Sequence, residues 1–270
     1  MKRGYLDRPG CRLYYEVSGA GPMLVFAHGL GGNHLSWWQQ VPHFQDRYTC
    51  VTFAHRGFSP SSAPPGGPDP AEYAGDLAAL VDHLGGSDIR IVAQSMGGWT
   101  ALEYAYLRPG SVRALVMAST AGSLAWPAWP FPDPDQVARW RTQSEASAQD
   151  LFRRGLHPAS GERMAREQPA AEFLYRAIDA LSTGLDKGML RQRLMAALRR
   201  PIEPLRSFDV PTLWLTGEED NVYPPFVSDA LAPLMPNARV ACVPNAGHSV
   251  YFERPAEFNR VVDEFLARNP

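Results

Sequence analysis

Residues 91–98 read Ile-Val-Ala-Gln-Ser-Met-Gly-Gly, an apolar strand that runs directly into a turn of small residues carrying one serine. Small residues, Ala93 and Gly97, lie two positions to either side of Ser95. They are needed where a strand turns sharply into a helix and holds a side chain in a strained backbone conformation, because the neighbouring elements pass too close for larger side chains. An ordinary strand–helix turn gives the same pattern, so other parts of the chain must decide between the two.

The composition fits one α/β domain with an insertion. The chain has 270 residues, 45% of them hydrophobic, enough to bury a sizeable core. Its formal net charge of −2 gives no electrostatic reason to expect nucleic acid or an anionic membrane as a partner. The three cysteines are widely spaced without a C-x-x-C pattern, which argues against a zinc site or a disulfide framework. No apolar stretch approaches bilayer length, so we expect a cytoplasmic protein.

Short apolar runs alternate with helical patterns over most of the chain. They predict strands at residues 12–17, in an opening hairpin closed by 18–22, and at 23–27, 48–54, 89–93, 112–118, 211–216 and 238–243. Helical patterns occupy residues 70–84, 98–107 and 255–267. Strands that alternate with helices indicate an α/β fold with a mostly parallel sheet and right-handed crossovers.

Residues 122–200 interrupt this alternation. A Pro/Trp-rich entry at 126–132 is followed by predicted helices at 135–154, 161–182 (with Pro169 as a candidate break) and 186–199. Because the strand–helix pattern then resumes, we expect a helical cap formed by residues 122–200, inserted into one core formed by residues 1–121 and 201–270.

A serine hydroxyl is a poor nucleophile until a base takes its proton, and that base needs an orienting carboxylate. Two later loops, each directly after a predicted strand, supply such groups. Residues 217–224 have the pattern G-x-x-D-x-x-x-P, with Asp220 as the acid. Residues 247–255 have the pattern G-H-x-x-x-x-E-x-P, with His248 as the base.

A fourth motif, His-Gly-Leu-Gly-Gly at residues 28–32, follows the predicted strand at 23–27. Together the four motifs, in this order, resemble those of the α/β-hydrolases: an oxyanion loop, a nucleophile elbow (with Ala93 where the family usually has glycine), an acid loop and a histidine loop. The resemblance implies the α/β-hydrolase fold, a mostly parallel eight-stranded sheet flanked by helices, with an inserted helical cap.

The resemblance also implies roles for individual residues. Ser95 is the expected nucleophile, His248 the base and Asp220 its orienting acid, while the backbone N–H groups of Leu30 and Met96 form the oxyanion hole. The family spacing favours Asp220 over its neighbours Glu218 and Glu219, and the other place where relatives carry the acid, residues 118–120, holds no carboxylate. No metal or organic cofactor is required.

The remaining histidines receive structural interpretations. His28 is expected to make hydrogen bonds beneath the site. Residues 54–61 resemble the family's D-x-R-G-x-G-x-S segment, but Ala54 replaces the aspartate and Ser59 the second glycine. That segment is structural in most relatives, although His55 and Phe58 are candidates to face the substrate. Surface or cap roles are expected for the others: His34, His43, His83 and His157.

The cap sequence is rich in aromatic residues, so the expected substrate is a small to medium, mostly apolar ester or lactone. Side chains expected to contact it are Trp126 and Trp129, at the cap hinge, with Trp140, Val222 and Phe58. No cluster of arginine or lysine near the motifs demands an anionic substrate.

The same triad leaves other functions open. They are C–C bond hydrolysis, thioester hydrolysis, perhydrolysis, a lyase reaction, or slow-turnover ligand sensing as in the fold's hormone receptors, because fold alone does not fix the reaction. Ser249, after Gly-His, weighs against the ring-cleavage hydrolases, which usually have tryptophan there. Dinucleotide binding fails, because residues 29–34 lack the third glycine of G-x-G-x-x-G.

Overall fold

The computed structural model describes residues 1–129 and 131–270. Its strands are β1 (Lys2–Arg8), β2 (Cys11–Ser18), β3 (Met23–Ala27), β4 (Thr49–Phe53), β5 (Ile89–Gln94), β6 (Val112–Ala118), β7 (Thr212–Gly217) and β8 (Ala238–Val243). Its α-helices are α1 (Val41–Phe44), α2 (Tyr73–His83), α3 (Gly97–Leu107), α4 (Gln136–Arg153), α5 (Gly161–Glu167), α6 (Pro169–Ala180), α7 (Lys187–Ala196), α8 (Phe226–Leu231), α9 (Val250–Glu253) and α10 (Pro255–Ala267). None of these helices is both long enough and apolar enough to cross a bilayer.

The eight strands form one sheet in the order β1-β2-β4-β3-β5-β6-β7-β8. All neighbours from β4 to β8 pair in parallel, whereas β1 with β2 and β2 with β4 pair antiparallel. The predicted eight-stranded, mostly parallel sheet is therefore confirmed. The opening hairpin differs from the prediction: β2 pairs with β1 through the turn at Pro9 and Gly10, not with β3 through residues 18–22. The short polar strand β1 has no apolar run by which the sequence could reveal it.

The central strands are buried on both faces, and their side chains divide by alternation. In β3, Val25 and Ala27 belong to a cluster with α2, α3 and α8, whereas Leu24 and Phe26 belong to a second cluster with α1 and α10. The sheet is thus a middle layer between two helical layers. Its strand ends are held in fixed positions by two separate cores.

The chain between β6 and β7 carries four of the helices, α4 to α7. The ends of this segment meet: Leu124 and Arg200 form an isolated parallel bridge, and the Ala125 N–H donates to the Arg200 carbonyl at 2.9 Å. Pro169 starts α6 directly after α5 has ended, because proline lacks the N–H of a helix interior but fits the first turn. The predicted break at Pro169 is therefore present.

Candidate active site

The sheet order determines where a site can form. From β3 the chain crosses first to β4 on one side and then to β5 on the other, so the strand order reverses at the neighbouring strands β3 and β5. In parallel sheets such a reversal opens a crevice at the carboxyl ends of the two strands. The His28–Gly29 loop follows β3 and Ser95 follows β5. The motifs therefore lie at the sheet edge where this architecture opens a crevice.

Ser95 has a backbone conformation that few non-glycine residues adopt. Its φ is +50°, in the left-handed region where an L residue is strained by about 1 kcal/mol or more. Its N–H donates to the Ala118 carbonyl at 3.0 Å, and its carbonyl accepts from the Gly98 N–H at 2.9 Å. A Cβ on Gly97 would collide with the Ala27 carbonyl oxygen of β3. The small residues around Ser95 are thus required by a strained turn packed against backbone.

His248 and Asp220 form a buried pair at the ends of β8 and β7. The Nδ1 of His248 lies 3.0 and 3.1 Å from the two carboxylate oxygens of Asp220, and each residue is 4% exposed. Asp220 Oδ1 also accepts the N–H groups of Val222 and Tyr223 at 2.8 and 2.9 Å. The carboxylate therefore accepts the Nδ1–H hydrogen bond, so that in the neutral ring Nε2 carries no proton. The rival acids lie elsewhere, with Glu219 paired to Arg163 at 2.5 Å.

Glu253 fixes the loop that carries His248 through two hydrogen bonds. Its two carboxylate oxygens accept the N–H groups of Gly247 at 2.9 Å and Ser249 at 3.2 Å, the residues on either side of His248. Burial raises the pKa of Glu253 to about 7, although both backbone hydrogen bonds lower it. The glutamate of the histidine-loop motif thus fixes the backbone that carries the base.

A hydrogen-bonded chain of two buried histidines supports the oxyanion loop. His28 Nε2 accepts the His55 N–H at 3.0 Å, so the ring proton of neutral His28 is on Nδ1, which donates to the Gly29 carbonyl at 2.8 Å. His55 Nδ1 lies 3.0 Å from that same accepting Nε2 and must therefore donate. His55 Nε2 then accepts from the Thr100 hydroxyl at 2.7 Å. The chain runs from α3 to the peptide between Gly29 and Leu30.

Both rings of this chain are neutral. Burial lowers the pKa of His28 to about 3 and that of His55 well below its ordinary value. The Gly29 carbonyl also accepts the Gly32 N–H at 3.1 Å. Two donors to one carbonyl fix and polarise the peptide plane whose other end is the Leu30 N–H. His55 is thus a structural residue buried beneath the loop.

The predicted polar groups meet at one cavity of about 430 Å³. Its lining includes Ser95, His248, Leu30 and Met96, and three of the predicted substrate contacts, namely Trp126, Trp140 and Val222. The other two lie elsewhere. Phe58 is fully buried with its ring edge-on to His28, and Trp129 packs against the core cluster of α2 and α3. These two predicted contacts are not part of the cavity lining, because the loops that carry them turn back onto the core.

The inserted helices supply lining residues that the motifs did not indicate. One face of α4 contributes Trp140, Ser144, Ala148 and Phe152, spaced by four residues, and one face of α7 contributes Lys187, Arg191, Leu194, Met195 and, just beyond it, Leu198. His157, for which a surface or cap role is predicted, also lines the cavity, as do Asp179 and Arg141. The helical spacing of the lining residues on α4 and α7 was visible in the sequence. Which face of each helix meets the cavity was not visible.

The inserted segment is tied to both loops of the His248–Asp220 pair. Ser144 of α4 donates to the carbonyl of Asn221, the residue after Asp220. Ser249, next to His248, donates its hydroxyl proton to the Ala159 carbonyl at 2.7 Å. Gln168 donates to the Glu253 carbonyl at 2.7 Å. Hydrogen bonds thus connect the inserted segment, residues 122–200, to the loops that carry Asp220 and His248.

The segment 54–61 is held by a buried ion pair. The Arg56 guanidinium donates to both carboxylate oxygens of Asp76 at 2.5 and 2.6 Å, and Arg8 reaches the same carboxylate at 3.0 Å. Ala54 itself offers no carboxylate; the anions beside Arg56 are Asp76 of α2 and, at 3.7 Å, Glu72. Among residues 1–129 and 131–270, no group of three or more His, Cys, Asp or Glu side chains is arranged to hold a metal ion.

Comparison with known proteins agrees with the fold described above. A family model described as the alpha/beta hydrolase fold matches residues 22–255. The chain is 28% identical over 271 residues to the putative non-heme bromoperoxidase BpoC of Mycobacterium tuberculosis, covering 94% of this chain and 97% of that protein. It is 28% identical over 276 residues to the putative carbamate hydrolase RutD of Stutzerimonas stutzeri, with the same coverage.

The solved structures include Est816, described as an N-acyl homoserine lactone degrading enzyme. It superposes with a TM-score of 0.78 at 25% identity, over 97% of this chain and 100% of that chain. Because the family model spans most of the sequence and the sheet has the corresponding topology, this chain belongs to the alpha/beta hydrolase fold family.

Proposed function

We propose that this chain is a serine hydrolase that cleaves a carboxylic ester or lactone through a Ser95–His248–Asp220 triad. The observation that carries the proposal is the His248–Asp220 contact of 3.0 Å, with the imidazole and Ser95 lining the same cavity. Because Nδ1 is bound to the carboxylate, only Nε2 is available to take a proton from the substrate side.

The reaction follows from these positions. His248 Nε2 removes the Ser95 hydroxyl proton as Oγ attacks the substrate carbonyl, and Asp220 stabilises the imidazolium. The tetrahedral intermediate collapses when the imidazolium returns its proton to the leaving alkoxide, which leaves an acyl ester on Ser95. His248 then deprotonates water, which attacks the acyl ester, and the carboxylic acid departs as Ser95 regains its proton.

The negative charge of the intermediate is assigned to two backbone donors, the N–H groups of Leu30 and Met96. Donors of this kind that are fixed before the reaction contribute on the order of 3 kcal/mol each to transition-state stabilisation. The chain from Thr100 through His55 and His28 fixes the Leu30 peptide, and the start of α3 fixes Met96.

The substrate class is inferred from the lining. Residues 122–200 act as the proposed cap over the core of residues 1–121 and 201–270. Trp99, Trp126 and Trp140 line the cavity together with Met96 and Val222. Such a wall favours an apolar acyl or alcohol group, because burying apolar surface contributes about 25 cal/mol per Å². The volume suits a small to medium molecule.

Active-site labelling tests the nucleophile directly. A fluorophosphonate probe should modify Ser95 and give a labelled tryptic peptide 91–113, because trypsin does not cleave the Arg108–Pro109 bond. The peptide 114–139, which carries Ser119, another cavity-lining serine, should stay unlabelled. Ser95→Ala should abolish hydrolysis of 4-nitrophenyl acetate, and Ser111→Ala, a change on the loop before β6, is the matched control. Full activity of Ser95→Ala would refute the mechanism.

A substrate panel tests the reaction class. Esters and lactones should give steady turnover, whereas carbamates, thioesters and ring-cleavage dienols should be poor substrates. A burst of one equivalent without further turnover would instead indicate ligand sensing, and faster reaction with hydrogen peroxide than with water would indicate perhydrolysis.

A further inference from the structure

One wall of the cavity is polar and positively charged. The lining contains three cationic side chains, Arg141, Lys187 and Arg191, and one carboxylate, Asp179. Its formal charge is therefore +2, although the chain as a whole carries −2. A cleft lined by one sign of charge attracts ligands of the opposite sign. The sequence motifs gave no sign of this, because all four residues come from the inserted helices.

Within residues 1–129 and 131–270, only one of these three cationic side chains is paired with a carboxylate. Lys187 donates to the Asp179 carboxylate at 2.6 Å and to the Asp179 carbonyl at 2.7 Å, so these two charges balance each other. Within the described residues, neither Arg141 nor Arg191 has a carboxylate within 4.0 Å. Arg191 lies one helical turn after Lys187 on the face of α7 that lines the cavity. Arg191 therefore places an unpaired guanidinium among the residues that line the cavity.

His157 adds a neutral donor to the same wall. Its Nδ1 accepts the Ala159 N–H at 3.1 Å, so the neutral ring carries its proton on Nε2. Burial lowers the pKa of His157; Asp179 opposes this effect, while the charges of Lys187, His248 and Arg191 add to it. The ring is therefore neutral at pH 7. Its free Nε2–H forms part of the polar wall, together with Lys187 and Arg191.

The wall adjoins the oxyanion loop. A Cβ on Gly31 would lie 2.8 Å from the Tyr175 hydroxyl oxygen and 3.1 Å from Asp179 Oδ1. Gly31 directly follows Leu30, whose N–H is assigned to the oxyanion. The polar wall thus begins one residue from Leu30, the proposed donor to the oxyanion. A single small molecule can contact both the wall and the Leu30 N–H.

We propose that His157, Lys187 and Arg191 form a subsite for a carboxylate at the far end of the substrate, so that the preferred substrates are esters or lactones with an apolar body and one anionic end. This inference rests on the proposed function. Arg191 supplies the charge-assisted hydrogen bond. Lys187, whose charge Asp179 balances, donates its remaining N–H, and His157 donates a neutral hydrogen bond.

Paired substrates test the subsite. The 4-nitrophenyl monoesters of adipic and suberic acids carry a free carboxylate, and their methyl esters have the same length without the charge. After subtraction of the uncatalysed rates, wild-type kcat/KM should be about tenfold higher for each acid than for its methyl ester, as expected for one charge-assisted hydrogen bond. This preference should weaken with added salt.

The variant Arg191→Gln should bring the kcat/KM ratio of each acid over its methyl ester from about ten to about one, because KM rises more for the acids than for the methyl esters. Arg193→Gln is the matched control, because Arg193 lies on the same helix but donates to the Gly66 and Pro68 carbonyls. Its activity ratio for acid over methyl ester should equal that of the wild type.

The outcomes separate the two proposals. If Ser95 is required but the acids and methyl esters react equally, or if Arg191→Gln lowers both equally, the subsite is refuted and the hydrolase mechanism stands. If Ser95→Ala hydrolyses the methyl esters at the wild-type rate, the proposed function itself fails.

Discussion

The two buried histidines beneath the oxyanion loop make the stability of the fold depend on pH in a way that can be measured residue by residue. We choose His55→Asn as the perturbation. The asparagine amide can still donate towards His28 Nε2, but it carries no titratable group. The variant loses the contact with Thr100 and some packing, and these losses do not change with pH.

The magnitude follows from proton linkage. The folded-state pKa of His55 lies well below its ordinary value because of burial, whereas the unfolded chain binds the proton near pH 6.5. The unfolded state therefore holds more protons below pH 6.5, and stability that is present above that pH is lost as the pH falls. For a ring that stays neutral when folded, the loss between pH 6.5 and 4.5 is about 2 kcal/mol. Against a total stability of roughly 5–15 kcal/mol, this is a large fraction.

Urea denaturation followed by tryptophan fluorescence at pH 6.5, 5.5 and 4.5 measures this loss. The wild type should lose about 2 kcal/mol more than His55→Asn over the interval. Other titrating groups, including Glu253, contribute equally to both proteins and cancel in the difference. His83→Asn, at an exposed histidine, is the control and should follow the wild type. Parallel pH profiles for the wild type and His55→Asn would show that His55 titrates in the folded state and refute the assigned hydrogen-bond chain.

Three further predictions concern single side chains. Glu253→Gln presents an NH₂ group to one of the two N–H groups beside His248, so we expect kcat to fall about tenfold with KM nearly unchanged; a change in KM alone would contradict this. Gly97→Ala drives a Cβ into the Ala27 carbonyl oxygen of β3 and should lower the free energy of unfolding by about 3 kcal/mol in thermal melts. Gly75→Ala in α2 is the control: its added Cβ meets no close contact, so the change should be neutral or stabilising. Of the three thiols only Cys242 is exposed, so native protein should react with one equivalent of a thiol reagent and denatured protein with three.

The parts of the site that the sequence predicts are those that depend on strand ends. Ser95, Asp220 and His248 each follow an apolar strand directly, and parallel strands present their carboxyl ends at one sheet edge. The placement of Ser95 and His248 at one cavity, with Asp220 bound to His248, therefore follows from topology.

The parts that the sequence does not predict depend on how loops and helices pack. Phe58 and Trp129 turn to the core instead of the cavity, and Arg191 faces the cavity because α7 presents one particular face. Helical periodicity gives the faces of a helix but not the partner of each face.

The links between the inserted helices and the loops of Asp220 and His248 bear on how ligands exchange. Lifting the inserted segment as a rigid body would break at least three hydrogen bonds, from Ser144, Gln168 and Ser249. At about 1 kcal/mol each, these three bonds alone would limit such an open form to at most about one molecule in 150. The same movement would pull on the backbone beside His248 and Asp220, so under the proposed mechanism an open molecule would also be a less active one. Substrate and product are therefore expected to exchange without a rigid-body movement of residues 122–200.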